Sequence, residues 1–259
     1  MDKIINEEGI DLYRQDFNMD PLKFWRENDA PDRQGITENK HVVGLFRYWD
    51  ELQRRHPGLL IDTCASGGRR NDLETLRRAV PLWRTDFPFD PEATQCHTYG
   101  ISYWIPFSGT GVKVIDNYDF RSNAVPEFTC HWNLRDARLD YDLLRRQLAD
   151  WQGYAANFVG DYYPLTPYST DSGVWMAWQF DRPEAGEGMV QVFRRKDSIY
   201  DAASLPLRGL DPAAKYTVRN IDEETSTTVD GRTLMEQGLR VMPEKRPYAL
   251  VYLYKKVGS

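Results

Sequence analysis

The sequence has no long hydrophobic run, and no apolar stretch approaches the ~20 residues that a helix needs to cross a bilayer. Its first residues, Met1 to Asn6, lack the basic and then apolar pattern of a secretion signal. A signal could have been removed, or could lie on an upstream segment. We expect no membrane association and a cytoplasmic location.

Acidic residues outnumber basic ones, 39 to 33, and cysteine and histidine are scarce. The formal net charge is −6 at pH 7, which argues against a nucleic-acid partner because phosphate binding needs a concentrated basic surface. The three cysteines, Cys64, Cys96 and Cys130, are far apart and predict neither a disulfide framework nor a zinc site. The four histidines form no recognisable ligand pattern. We expect no cofactor and no metal.

The most informative stretch is DTCASGGRR, from Asp62 to Arg70. It follows an apolar run that predicts a buried strand and precedes residues that predict the start of a helix. A strand, a loop of small residues and a helix in succession are typical of β/α enzymes, where loop atoms face a ligand. Two glycines in such a loop let backbone N–H groups approach a polar substrate.

Strands and helices alternate in the first two thirds of the chain. The predicted strands are 9–16, 59–63, 80–85, 102–107 and 128–132. The predicted helices are 38–56, with Thr37 as N-cap, 71–79, 91–99 and 141–158, and residues 19–37 form a long loop. This alternation is typical of parallel β/α units.

The pattern changes near residue 170 to short strands separated by turns, which is typical of an antiparallel β-sandwich. The predicted strands are 174–180, 189–193, 216–220 and 248–254. We therefore predict an α/β fold, a partial TIM-type barrel of about five of the eight β/α units, in residues 1–168. An antiparallel β-sandwich follows in residues 169–259.

Asp16 and Asp86 each end a predicted strand. In a β/α barrel they would lie at the catalytic face, and two carboxylates across a pocket are what glycosidic bond cleavage requires. For an arbitrary pair of strand-end aspartates, helix N-caps or surface loop acids are the commoner roles, and the residues alone leave both interpretations open. Aromatic clusters at Tyr99–Trp104 and Tyr162–Tyr168 favour carbohydrate only slightly, because such side chains also pack cores.

Three motifs in order resemble glycoside hydrolase family 36, within the α-galactosidase clan. RQDFN at 14–18 is similar to a K-W-D-M-N-like nucleophile strand, CASGGR at 64–69 to a C-S-G-G-G-R-like loop, and WRTD at 83–86 to a W-T-S-D-N-T-D-like acid/base strand. The resemblance implies a retaining α-galactosidase with Asp16 as nucleophile and Asp86 as general acid/base. It also implies substrate-binding roles for Arg14, Asn18, Cys64, Ser66 and Gly67.

Two departures from the family motifs bear on the sugar. Arg14 replaces a lysine, and the two cations differ where a compact ammonium fits among hydroxyls. Phe87-Pro88-Phe89-Asp90 follows Asp86 in place of N-T-D, so the leaving-group side differs. A different sugar specificity within the same chemistry is therefore one alternative to plain galactose.

Another alternative is a non-catalytic partial barrel that oligomerises and at most binds carbohydrate. In the family the nucleophile lies on the fourth barrel strand, whereas here it lies near residue 16, so about three strands are expected to be absent. Five strands cannot close the barrel, and open strand edges recruit other strands. Whether or not the chain is catalytic, we expect a homo-oligomer whose interface includes residues 1–17 and the neighbourhood of 128–160. For a catalytic chain we expect an oligosaccharide or α-galactoside as substrate.

Overall fold

Parallel strand pairs occur in the first part of the chain and a large antiparallel sheet in the second. The computed structural model describes residues 1–258, which separate into two units, Met1–Asp86 and Phe87 onward. The first unit contains α1 (Asp2–Glu8), β1 (Leu12–Asp16), α2 (Leu22–Glu27), α3 (Ile36–Arg55), β2 (Leu60–Cys64) and α4 (Leu73–Leu76).

The core of the first unit is a β-α-β arrangement in which α3 connects the parallel strands β1 and β2. Apolar residues recur along α3 at three- and four-residue steps, and Trp49 and Leu52 are buried. The Trp49 ring packs with Ile61 of β2, and its Nε1 donates a hydrogen bond of 2.7 Å to Oε1 of Gln15. This packing fixes the register of both strands, so Asp16 lies opposite Cys64.

The start of α3 differs from the prediction. Gly35, with φ 95°, occupies the N-cap position, and the carboxylate of Asp29 accepts hydrogen bonds from Gly35 N at 2.8 Å and Thr37 N at 3.0 Å. Thr37 is therefore inside the helix, and a carboxylate from the preceding segment satisfies the free N–H groups. That segment, predicted as loop, contains α2.

The other elements belong to the second unit. Its helices are α5 (Pro91–Ile101), α6 (Asn117–Ser122), α7 (Tyr141–Tyr154), a 3₁₀ helix (Ala155–Val159) and α8 (Gly231–Glu236). Its strands are β3 (Gly109–Val112), β4 (Glu127–Cys130), β5 (Asp161–Pro164), β6 (Trp175–Arg182), β7 (Glu187–Arg194), β8 (Ala203–Leu205), β9 (Lys215–Asn220), β10 (Thr227–Asp230), β11 (Leu239–Val241) and β12 (Tyr248–Lys256).

The six-stranded sheet of the second unit is antiparallel, in the order β10-β9-β12-β7-β6-β5. Both of its faces are covered. Alternate residues of β6 pack on different sides, Met176 and Trp178 with α7 and the 3₁₀ helix, Ala177 with β8, β11 and α8. The four C-terminal strands predicted from sequence are confirmed, and the sheet fits a sandwich. It also includes β5, which precedes the predicted division at residue 168; that division stays a prediction.

Two predicted strands of the barrel part are wrong. Residues 102–107 follow α5 as turns, and the next strand is β3, parallel to β4. Residues 80–85 form only one parallel bridge, from Val80 to Asp62. The number of β/α units stays a prediction. No helix within residues 1–258 has the length and apolar character needed to cross a membrane.

Candidate active site

Asp16 is the last residue of β1 and is partly exposed. Parallel pairing places it beside Cys64, the last residue of β2, so the two side chains share the carboxyl edge of the strand pair. The side chain of Asp16 is 28% exposed, and its Oδ2 lies 3.4 Å from Nη2 of Arg14. A strand-end carboxylate open to solvent and next to a guanidinium is accessible to a ligand.

Arg14 forms an ion pair with the buried carboxylate of Asp62. Its Nη1 donates to Oδ2 of Asp62, whose side chain is only 4% exposed. Burial by itself lowers the pKa of Arg14, but the hydrogen bond and charge of Asp62 outweigh this effect and the pKa is raised. Arg14 is therefore a permanent cation at the edge of the strand pair.

Asn18 connects the loop after β1 to the loop after β2. Its Oδ1 accepts hydrogen bonds from Ser66 N at 3.1 Å and from Ser66 Oγ at 3.2 Å. Ser66 has a φ of 48°, which is uncommon outside glycine. The amide of Asn18 stabilises this left-handed conformation and fixes the start of the glycine turn.

The glycine turn approaches Asp86 closely. Gly67 and Gly68 continue the left-handed backbone with φ of 67° and 98°. A Cβ on Gly67 would lie 2.5 Å from the carboxyl carbon of Asp86, and one on Gly68 would overlap the carbonyl oxygen of Arg84. Only glycine permits this packing of the turn against residues 84–86.

Asp86 is exposed, and its Oδ1 accepts a hydrogen bond of 2.8 Å from Nε1 of Trp83. The helices that follow the two aspartates in sequence have other N-caps, Pro21 for α2 and Asp90 for α5. Helix capping therefore does not account for Asp16 or Asp86. The glycine turn that follows Cys64 contacts Asp86, while Cys64 itself pairs with Asp16.

Cys64 is buried in the wall of this site. Burial raises the pKa of its thiol, against an opposing effect of the Gly67 N–H, and the negative charge of Asp16 raises it further. Nη1 of Arg70 donates to the carbonyl oxygen of Cys64 at 3.2 Å, and its guanidinium lies 5.3 Å from the centroid of the Phe17 ring. Cys64 is thus a neutral, fixed side chain.

Sequence reasoning missed three contributors to this site, Asp62, Arg70 and Trp83. For Asp62 a signal was present: an acidic residue inside the apolar strand around Ile61 is costly to bury without a partner. Arg70 and Trp83 lie within the stretches that the sequence singles out, but their contacts depend on loop conformation, which the sequence pattern does not show.

An apolar groove of about 920 Å³ lies behind this site. Side chains of α2, α3 and α4 line it, together with Phe17 and Ala65. These two directly follow Asp16 and Cys64, and successive side chains of an extended chain point to opposite sides. Neither candidate catalytic aspartate lines the groove.

The two aromatic clusters noted in the sequence come together in the second unit. Ring centroids of Tyr99 lie 6.5 Å from Tyr162 and 5.6 Å from Tyr168, and Tyr103 lies 5.4 Å from Tyr162. Tyr99 is 7% exposed and belongs to the core. These contacts explain the clusters as packing of α5 against the segment around β5. Within residues 1–258 no group of three His, Cys, Asp or Glu side chains could hold a metal ion.

Comparison with known families identifies the chain. Residues 1–143, more than half of it, match the family model described as Melibiase. The chain belongs to the melibiase family. Residues 175–253 of this melibiase-family chain match the C-terminal domain of glycosyl hydrolase family 36, which confirms the resemblance found in the motifs.

Similar curated proteins include the bifunctional alpha-galactosidase/sucrose kinase AgaSK of Mediterraneibacter gnavus, 23% identical over 95% of this chain and 26% of its own length. The probable alpha-galactosidase C of Aspergillus terreus is 26% identical over 79% of this chain and 28% of its own length. The alpha-galactosidase AgaA of Geobacillus stearothermophilus is 25% identical over 84% of this chain and 32% of its own length. The melibiase-family chain thus spans about a third or less of these relatives.

Solved structures share the fold. The alpha-galactosidase of Lactobacillus brevis has a TM-score of 0.82 at 18% identity, covering 99% of this chain and 37% of that structure. A variant of AgaA in complex with stachyose has a TM-score of 0.81 at 21% identity, with coverage of 99% and 37%. At this identity the likeness demonstrates the fold of the melibiase-family chain.

Proposed function

We propose that this chain carries the catalytic strand ends of a retaining α-galactosidase, with Asp16 as nucleophile and Asp86 as general acid/base. The single observation that carries the proposal is the glycine turn. It begins beside Cys64, the register partner of Asp16, and its Gly67 packs against the backbone and carboxyl group of Asp86. One short turn therefore lies next to both carboxylates.

The proposed chemistry has two steps. The carboxylate of Asp16 attacks the anomeric carbon while Asp86 donates a proton to the leaving glycosidic oxygen. Asp86 then takes a proton from a water molecule that displaces Asp16 from the sugar. Retention requires the two carboxyl groups to lie about 5 Å apart.

The proposed substrate class is α-galactosides, including oligosaccharides. Variants of the relative AgaA have been solved in complex with stachyose and with raffinose. In this chain the sugar would be contacted from the strand ends and the turn by Asn18, Cys64, Ser66 and Gly67. Arg14, next to Asp16, would contact it as well. Since Arg14 is a fork-shaped donor in place of a lysine, its contacts with sugar hydroxyls would differ in geometry.

Turnover of a chromogenic α-galactoside tests this proposal. Asp16→Ala is expected to abolish hydrolysis, and added azide is expected to restore part of it with a β-configured galactosyl azide as product. Asp11→Ala, an exposed aspartate just before β1, is the matched control and should retain activity. Wild-type protein that hydrolyses no α-glycoside would refute the enzymatic function, while family membership would stand.

We further propose that the chain assembles as a homo-oligomer through the edge of β1. Among residues 1–258, β1 pairs with β2 alone, and an apolar register pair of the two strands is exposed, Leu12 by 45% and Leu60 by 42%. An open strand edge with apolar neighbours favours pairing with another chain. The same observation favours the second candidate function, an assembly subunit that binds carbohydrate without turnover.

A further inference from the structure

Asp62 is a buried carboxylate in the middle of β2 with partners on both of its oxygens. Oδ2 accepts from Nη1 of Arg14, and Oδ1 accepts from the backbone N–H of Leu82 at 3.1 Å. The side chain is 4% exposed. A carboxylate buried this deeply is tolerated only when it is paired and hydrogen-bonded.

The two partners of Asp62 lead to different parts of the candidate active site. Arg14 uses one nitrogen for Asp62 and holds the other 3.4 Å from Oδ2 of Asp16. Leu82 opens the segment that ends at Asp86. Just before Leu82, the backbone of Val80 forms hydrogen bonds with Ile61 and Thr63 of β2. The bond from Leu82 N to Asp62 continues this attachment of the segment to β2.

Stability alone is a weak explanation for this arrangement. An apolar side chain in place of a buried ion pair is often neutral or stabilising, and β2 is otherwise suited to apolar residues such as Ile61. What an apolar residue would not provide is a fixed direction for the Arg14 guanidinium or an acceptor for the Leu82 amide. The gain from Asp62 is therefore in geometry.

We propose that Asp62 is a positioning residue: it orients Arg14 against Asp16 and fixes the segment that carries Asp86. This inference rests on the proposed function for its effect on catalysis. Its geometric part, the orientation of Arg14 and the attachment of Leu82, concerns the chain whether or not it turns over substrate.

Kinetics of Asp62→Asn and Asp62→Glu test the catalytic part. Asn keeps an acceptor for Leu82 but loses the charge that holds Arg14, so kcat should fall by about 10²-fold, the usual effect of a small misplacement, with KM changed far less. Glu should recover part of the loss. Asp50→Asn removes the surface ion pair with Arg78, whose Nε lies 2.6 Å from Asp50, and should leave kcat unchanged. Unchanged kinetics in Asp62→Asn would overturn the proposal.

Nuclear magnetic resonance of the Arg14 side chain tests the geometric part without turnover. In the wild type, guanidinium rotation should be slow enough to resolve separate Nη signals, and in Asp62→Asn these should merge. Amide exchange at Leu82 should be faster in Asp62→Ala than in Asp62→Asn. Merged Nη signals in the wild type would overturn the proposal. An inactive wild type with the expected spectra would refute the proposed function and leave the positioning role in place.

Discussion

Gly67 packs against Asp86 so closely that a methyl group on its α-carbon would lie 2.5 Å from the Asp86 carboxyl carbon and 2.7 Å from its Oδ1. These distances are well inside van der Waals contact. The Asp86 carboxylate can therefore occupy this position only because residue 67 is a glycine and has no side chain. This dependence connects a loop motif readable in the sequence to the placement of the proposed acid/base.

We expect Gly67→Ala to disable the site. Its φ of 67° is unfavourable for alanine, which costs about 1–3 kcal/mol of unfolding free energy, and the new methyl group must also displace Asp86. Hydrolysis of an activated α-galactoside should fall by at least about 10²-fold. Urea unfolding and steady-state kinetics measure the two effects separately.

Gly9→Ala is the matched control for backbone strain. Gly9 has nearly the same φ, 64°, but its Cβ would have no heavy atom within 4 Å. Its substitution should cost about 1–2 kcal/mol and leave kcat unchanged. If both variants lost activity equally, displacement of Asp86 would not be the cause.

Asp86→Ala should affect substrates according to their leaving groups. General acid assistance matters least when the leaving group is already acidic. We expect raffinose hydrolysis to fall far more than hydrolysis of a dinitrophenyl α-galactoside. Comparing kcat/KM for the two substrates in wild type and variant measures this, and equal losses would argue against the acid role.

The sequence predicted the elements whose pattern reflects burial. The apolar spacing around Trp49 gave α3, and the apolar run before Asp62 gave β2. Residues 80–85 form no strand because the Leu82 amide, which a strand partner would occupy, donates to the Asp62 side chain instead. Such a tertiary contact has no periodicity to detect.

The strand at 109–112 illustrates the opposite error. This strand was not predicted and contains two glycines, yet all four of its residues are buried and pair with β4. Small residues fit that tightly packed position despite their low strand propensity. The aromatic residues just before it suggested a strand, but Tyr103 is 61% exposed and Trp104 43%. Burial, which sequence pattern conveys only indirectly, decided both cases.

In the second unit, stability should depend on pH through Asp119. The pKa of Asp119 is raised from 3.8 to about 7. Burial is the main cause, and the charge of Asp116, a hydrogen bond with the Asp116 side chain and the charge of Asp90 contribute as well. At a pH between the unfolded-state pKa of 3.8 and the native pKa of about 7, Asp119 is protonated in the native state and ionised in the unfolded state. The unfolding free energy should therefore fall as pH rises from about 4 to about 7.

Asp119→Asn should remove this part of the pH dependence, because the amide does not titrate. Urea unfolding at several pH values between 4 and 8 measures the slope. Asp142→Asn, whose side chain is 80% exposed on α7, is the control and should keep the wild-type slope. A slope in Asp119→Asn equal to that of the wild type would contradict the assignment.

The edge of β1 should mediate self-association. Light scattering at micromolar concentration should give at least the mass of a dimer for the wild type. Leu12→Lys places a charge on the exposed edge strand, which opposes strand pairing, and should shift the mass toward the monomer. Since Leu12 is already 45% exposed, the substitution should leave the fold intact, as circular dichroism can verify.

Leu73→Lys on α4, at a leucine that is 65% exposed and outside the expected interface, should keep the wild-type mass. A monodisperse wild-type monomer would refute the proposed assembly and would mean that the β1 edge needs no second chain.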